Sequence, residues 1–209
     1  MTPPTAVAGI AVPQTAAATA ALEVATAYCS PPLLHHSVRS YLWGAWYGTA
    51  HGIGYDEELL YVAALLHDLG LVAEFDSHRV PFEAAGGHVA WVFGAAAGWP
   101  VPRRARVSEV IVRHMWDGVD PALDPEGHLL EVATSMDITG RRAAELPAGL
   151  RADVLARYPR GALVAEFTAC FEDQARRKPG SAAAAAVGAG IAERLAANPL
   201  ENDIRRPEA

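Results

Sequence analysis

Lysine is nearly missing from this chain: Lys178 is the only one among 17 basic residues, and the formal net charge is -7. Without runs of positive charge there is no footprint for nucleic acid, and the cluster Arg103, Arg104, Arg106 is too short to make one. Acidity of this kind speaks to solubility rather than to a partner. Cysteine is almost as scarce. Cys29 and Cys170 lie far apart and in no CxxC or zinc-type spacing, so no disulfide framework is expected and both read as buried hydrophobes. The first 21 residues have no basic start and are interrupted by Pro3, Pro4 and Pro13, which is the pattern neither of a signal peptide nor of a membrane helix. A cytoplasmic, reducing location is therefore expected. A glycine-rich phosphate loop, a GxSxG nucleophile elbow and an internal repeat are also lacking.

What is present points to helices. Half of the residues are hydrophobic, alanine is prominent and β-branched runs are short, so the expected fold is a single all-α bundle. Residues 1–14 read as a flexible arm, residues 15–197 as the helical domain and residues 198–209 as a polar, frayed tail. Helices are expected from about Thr15 to Tyr28, from Leu34 to Gly52 and from an Asp56 cap through Leu59 to Leu66, with Gly70 as a stop. Others are expected from Phe82 to Ala97, from Pro102 to His114, from Leu129 to Arg142, from Arg160 to Arg177 and from Ala182 to Ala197.

Four metal-type ligands stand inside these apolar segments: His36, the adjacent pair His67 and Asp68, and the distant Asp137. Asp137 shares a helix face with Leu130 and Ala133, so it points where the hydrophobic residues point. An ionised carboxylate in such a setting costs several kcal/mol or more unless it is paired or binds a metal. Two imidazoles and two carboxylates would neutralise a divalent ion. His67 and Asp68 diverge by about 100° on an ideal helix, so they share one ion only near a helix end.

The order His36, His67-Asp68, Asp137 resembles the HD superfamily of metal-dependent hydrolases, which bind metal through those four positions on an α-helical core. The surrounding words are similar to its cyanamide hydratase branch: His36-Ser-Val-Arg39-Ser-Tyr41, Ala64-Leu-Leu-His-Asp-Leu-Gly70, Phe82-Glu83 followed by Gly86-Gly87, Ile111-Val-Arg-His114 and Leu130-Glu-Val-Ala-Thr-Ser-Met-Asp137. The likeness spans about residues 33–140. It implies an HD-type helical bundle, one zinc ion held by His36, His67, Asp68 and Asp137, and addition of water to a nitrile carbon, turning cyanamide into urea. Zinc lowers the pKa of a coordinated water to near 7. Asp68 then belongs to the catalytic set, and Glu83 and His114, both in the shared words, are candidates for moving the proton and holding substrate.

Each of these has a plainer reading. His114 ends an apolar stripe and could be a core histidine bonded to a carbonyl, Glu83 could be a first-turn carboxylate, and His88 falls on another side of its helix. Arg39, one turn after His36, is expected to anchor Asp137 or a loop carboxylate, and Trp43 shares the face of His36. A His2Asp2 set also accepts Fe2+, Mn2+, Co2+ or Ni2+. The alternative activity is an HD-type phosphohydrolase acting on a nucleotide or phosphate monoester, which would need arginines such as Arg39, Arg79 or Arg113 for its phosphate. The expected partner is a small neutral nitrile-type substrate, with neither nucleic acid nor membrane. The arm and the alanine-rich C-terminal helix offer surfaces for a homo-oligomer.

Overall fold

The segment Leu59–Leu66 has no polar face, and such a helix is stable only with neighbours all round. In the computed structural model, which describes residues 4–201, it forms α3 (Glu57–Leu66), and every residue from Leu59 to Leu66 is buried. Asp56 starts it, accepting the Leu59 N–H at 2.9 Å, with Glu57 and Glu58 facing the positive end of the dipole. Each fully buried leucine here contributes roughly 1.5–3 kcal/mol. Packed against α3 are α1 (Ala16–Tyr28), α2 (Pro31–His51), α4 (Phe82–Ala96), α5 (Val101–Arg113) and α6 (Pro125–Thr139). The bundle is completed by α7 (Ala148–Arg157), α8 (Leu163–Arg177), α9 (Ala182–Gly188) and α10 (Ile191–Ala196), with α8 lying on α2 and α10 on α6. The expected all-α architecture is thus observed. No helix among the described residues is long and apolar enough to cross a membrane.

Several boundaries differ from expectation for local reasons. Helix α2 begins at Pro31 rather than Leu34: Pro31 and Pro32 form its first turn, where a missing N–H is harmless, and Ser30 Oγ accepts the Leu33 N–H at 3.3 Å. Helix α6 stops at Thr139 rather than Arg142 because Gly140 takes a left-handed φ of 74°. The single C-terminal helix expected from Ala182 to Ala197 is two, divided where Gly190 adopts φ 74°. The arm is also less loose than its composition suggests. Strands β1 (Ala6–Val7) and β2 (Ile10–Ala11) pair through a turn in which Ala8 and Gly9 have φ 48° and 80°, and Val7 and Val12 are buried in the core. At the other end, Asn198 and Leu200 are buried, so fraying does not begin at Asn198. The rest of the expected arm and tail, residues 1–3 and 202–209, lies outside the described residues.

Gly70 has a different role from the helix stop its sequence position suggests. Helix α3 has already ended, Gly70 has no left-handed φ, and a Cβ there would overlap the carbonyl oxygen of Phe82. The glycine lets the start of α4 lie against the turn that follows His67 and Asp68. Gly70→Ala is expected to destabilise by about 3 kcal/mol, since backbone must move to admit the methyl group. A chemical denaturation midpoint unchanged from wild type would contradict this account.

Helices α2 and α6 lie antiparallel and close. A Cβ on Gly44 would sit 3.2 Å from the Leu129 carbonyl oxygen, and two turns away in each helix the same register brings His36 against Asp137. The loop before α6 is held by Asp124, which accepts the Gly127 N–H at 2.7 Å and Arg113 Nη1 at 2.6 Å, and also pairs with Arg106. These partners overcome the effect of burial and hold its carboxyl below the usual carboxylate range. A depressed folded pKa means that the stabilisation is complete above the unfolded value near 3.9 and is lost as pH falls through the folded one. The melting-temperature gap between wild type and Asp124→Asn is therefore expected to be constant above pH ~5 and to shrink below pH ~4. A gap that widens in acid would overturn the assignment.

Candidate metal centre

His36 projects from α2, while His67 and Asp68 sit where α3 ends: His67 is still right-handed helical and Asp68, at φ -98° and ψ 6°, has left the helix. That departure lets two adjacent side chains converge. Asp68 Oδ2 lies 3.1 Å from His67 Nε2 and 3.4 Å from His36 Nε2, and the two nitrogens are 3.2 Å apart. Ligands bound tetrahedrally to zinc at 2.0–2.2 Å are separated by roughly 3.3 Å. All three residues are buried, and among the described residues they form a group able to hold a metal ion. Both carboxylate oxygens of Asp68 are buried without a hydrogen-bond partner, a rare condition that a cation would relieve.

The outer ring nitrogens are already committed. His67 Nδ1 lies 2.7 Å from the Ala64 carbonyl and His36 Nδ1 lies 2.7 Å from Asp137 Oδ2, so each Nδ1 donates and each Nε2 offers a lone pair. Two lone pairs and a carboxylate then face one another. Only a cation between them, a metal ion or a proton on His67, makes this favourable. Burial opposes charge on both rings. It prevails at His36, whose pKa is lowered, whereas the Asp68 carboxylate prevails at His67, whose pKa is raised. Asp68 itself is brought down to about 2, the neighbouring His67 outweighing burial.

Asp137 stands behind this group instead of within it. Its Oδ1 accepts Arg39 Nε at 2.8 Å and Trp43 Nε1 at 2.9 Å, and its Oδ2 accepts Arg39 Nη2 and His36 Nδ1, each at 2.7 Å. Arg160 Nη1 approaches the same oxygen at 3.3 Å and donates to the Asp137 carbonyl at 2.5 Å. Asp137, expected as a fourth ligand, is not among the three converging residues, and its oxygens are engaged by two buried arginines, an indole and the His36 ring. Although burial works against it, the charge of Arg39 and Arg160 keeps the Asp137 carboxyl ionised, with a pKa well below the ordinary value. Arg39 anchors Asp137 as its spacing suggested. Trp43 turns out to be a donor to it, and Arg160, in the link between α7 and α8, has no sequence signal that would have found it.

The two proton-transfer candidates separate. His114, at the end of α5, borders the same cavity as His36, His67 and Asp68, with its ring centroid 4.9 Å from that of His67. Its Nδ1 is bonded to the Ile111 carbonyl, which leaves Nε2 as an acceptor, and burial together with nearby His67 pushes its pKa down to about 3. Glu83 is buried in the first turn of α4, outside that cavity wall, with Oε2 lacking a partner and its pKa raised by burial. His88 is exposed on α4.

The cavity measures about 640 Å³. Beyond the ligands and His114 its wall combines apolar groups, Ile138 of α6, Phe167 and Phe171 of α8 and one face of α9, with polar ones, Glu131, Thr134, Ser135, Thr139, Arg141 and Arg194, while Trp116 lies at its exposed edge. The phenylalanine rings stack at 4.5 Å, and Phe167 also meets His36 edge-on at 5.7 Å. These aromatic walls went unread in the sequence, because the α8 stripe looks like ordinary core. A family model described as HD domain matches residues 33–142, just over half of the chain, including all three converging residues, Asp137 and His114. Comparison with curated proteins gave no match.

Proposed function

The chain belongs to the HD-domain family of metal-dependent hydrolases, and from that premise we propose that it adds water to the carbon of a nitrile, of which cyanamide, giving urea, is the smallest. In this reading His36, His67 and Asp68 hold one divalent ion, with positions left open for water and substrate. Nitrogen and oxygen donors in this ratio suit zinc, with Fe2+, Mn2+, Co2+ and Ni2+ as the alternatives. When bound, the ion supplies an acidic water and polarises the substrate. Asp137, braced by Arg39 and Arg160, orients His36 through Nδ1. His114, whose Nε2 is left free at the cavity wall, is the group placed to take a proton from the attacking water and pass it to the nitrile nitrogen. Glu83, set off the cavity wall, is left without a part in that transfer.

The observation that carries a neutral substrate is the chemistry around the triad. Arg39 and Arg160 are both engaged by Asp137, Lys178 by Asp76 and Gln174, and Arg113 by Asp124, while the rings that meet the ligand imidazoles are Phe167 on His36 and His114 on His67. A phosphate ester would need cations at that place. The phosphohydrolase reading keeps one supporting feature: Arg141 and Arg194 also border the cavity, although Arg141 is paired with Glu131.

The decisive experiment is metal analysis on protein purified without chelator or metal-affinity resin, followed by urea detection from cyanamide. About one zinc per chain with urea formed would support the hydratase. Hydrolysis of p-nitrophenyl phosphate or nucleotides, with no urea, would replace it with the phosphohydrolase.

A further inference from the structure

The size and lining of the cavity bear on which nitrile it takes, an inference that rests on the hydration reading above. Liquid water occupies about 30 Å³ per molecule, so a space of about 640 Å³ holds some twenty waters, whereas cyanamide displaces roughly two. Cavities of this size ordinarily enclose most of the surface of a much larger ligand. Cyanamide would remain largely in water, with little beyond the metal to orient it.

One side of the wall, formed by α8 and α9, is apolar. Ala182, Ala185, Ala186 and Ala189 recur at intervals of three and four, so one face of α9 and its C-terminal end is turned to the cavity, and it carries nothing larger than a methyl group. Helix α9 packs on α8, so this shallow face adjoins Phe167 and Phe171. Bulkier side chains at the alanine positions would fill the space. As built, it is an aromatic-sized recess opening onto the ligand triad.

We propose that the substrate is a nitrile bearing an apolar group about the size of a phenyl ring, seated against Phe167, Phe171 and the alanine face of α9. The reaction balances without any further reactant. The oxygen of water bonds to the nitrile carbon, one carbon–nitrogen π bond breaks, and both protons of water end on nitrogen as the imidic acid tautomerises to the amide. Contacts made by the remote group fix the nitrile over the triad, so they are expected to raise kcat/KM.

Phenylacetonitrile and acetonitrile, which share alkyl nitrile reactivity, provide the test on the metal-loaded enzyme. The expected result is a kcat/KM for phenylacetonitrile at least about tenfold above that for acetonitrile, an advantage removed by Ala186→Phe. Calorimetry with the product amide, phenylacetamide, gives a readout that needs no turnover, and its affinity is expected to fall tenfold or more in the variant. Equal use of both nitriles, with phenylacetamide binding wild type no better than Ala186→Phe, would overturn the proposal. If no nitrile is hydrated but phenylacetamide binds in an Ala186-dependent way, the hydration reading fails while the apolar seat stands. Should Ala186→Phe not fold, Ala189→Phe, at a more exposed point of the same face, makes the same comparison.

Discussion

Asp68→Ala is expected to yield a folded protein that neither holds metal nor turns over. The carboxylate is buried, both oxygens lack hydrogen-bond partners, and its neighbours are the two imidazoles that would share its ion. Removing it deletes the burial cost of a carboxylate but also its attraction to His67, which is the larger, so the metal-free variant is expected to melt somewhat below metal-free wild type. The separation appears on adding zinc. At a thousandfold excess over Kd, binding stabilises wild type by about 4 kcal/mol, which for a chain of this length raises Tm by about 10 °C, and Asp68→Ala is expected to show no such rise. Turnover is expected to fall by about a thousandfold or more, since at least ~4 kcal/mol of transition-state stabilisation is routed through the ion. Differential scanning calorimetry with and without zinc checks both proteins. An undiminished zinc shift in the variant would place the metal elsewhere.

Arg39→Met should act mainly on stability. It removes the bidentate partner of Asp137 while retaining similar volume, leaving a buried carboxylate with Arg160 as its remaining charge partner. Breaking a buried pair in this one-sided way costs about 3–5 kcal/mol, or about 10 °C in Tm. Because Asp137 also fixes the His36 ring, zinc affinity should fall by about 10- to 100-fold, as for other groups that orient a ligand. The double variant Arg39→Met with Asp137→Asn removes the stranded charge, so it should recover part of the lost stability without recovering zinc affinity. If the double variant is as unstable as the sum of the singles, the pair is not coupled in the way described.

Much of this architecture was legible because apolar periodicity and capping residues act locally. Asp56 before Leu59–Leu66 announces α3, and Pro100 with Pro102 frames the start of α5. Helix α7 was not legible, since only Val154 and Leu155 are buried in it and two apolar residues make no stripe. The division of the last helix was hidden in a run of alanines, where Gly190 supplies a left-handed turn that composition does not reveal. At the site, the convergence of His36, His67 and Asp68 could be anticipated from the cost of burying them. The place of Asp137 could not. A carboxylate on the apolar face of a helix can ligate or orient, and the choice depends on where Arg39, Trp43 and Arg160 reach, which is decided by packing between distant segments.

Those distances along the chain also order events in time. The contact of His36 with Asp137 closes a loop of 101 residues, and Arg39 reaches the Tyr158 carbonyl across 119. Loops of that length form slowly and hold only when the native packing behind them is complete. A nascent chain that has passed Asp68 already carries His36, His67 and Asp68, yet the Asp137 carboxylate that holds the His36 ring is in place only when α6 docks and Arg160 arrives. Competence to bind metal is thus acquired late in folding, and a partly assembled chain is a poor trap for stray ions.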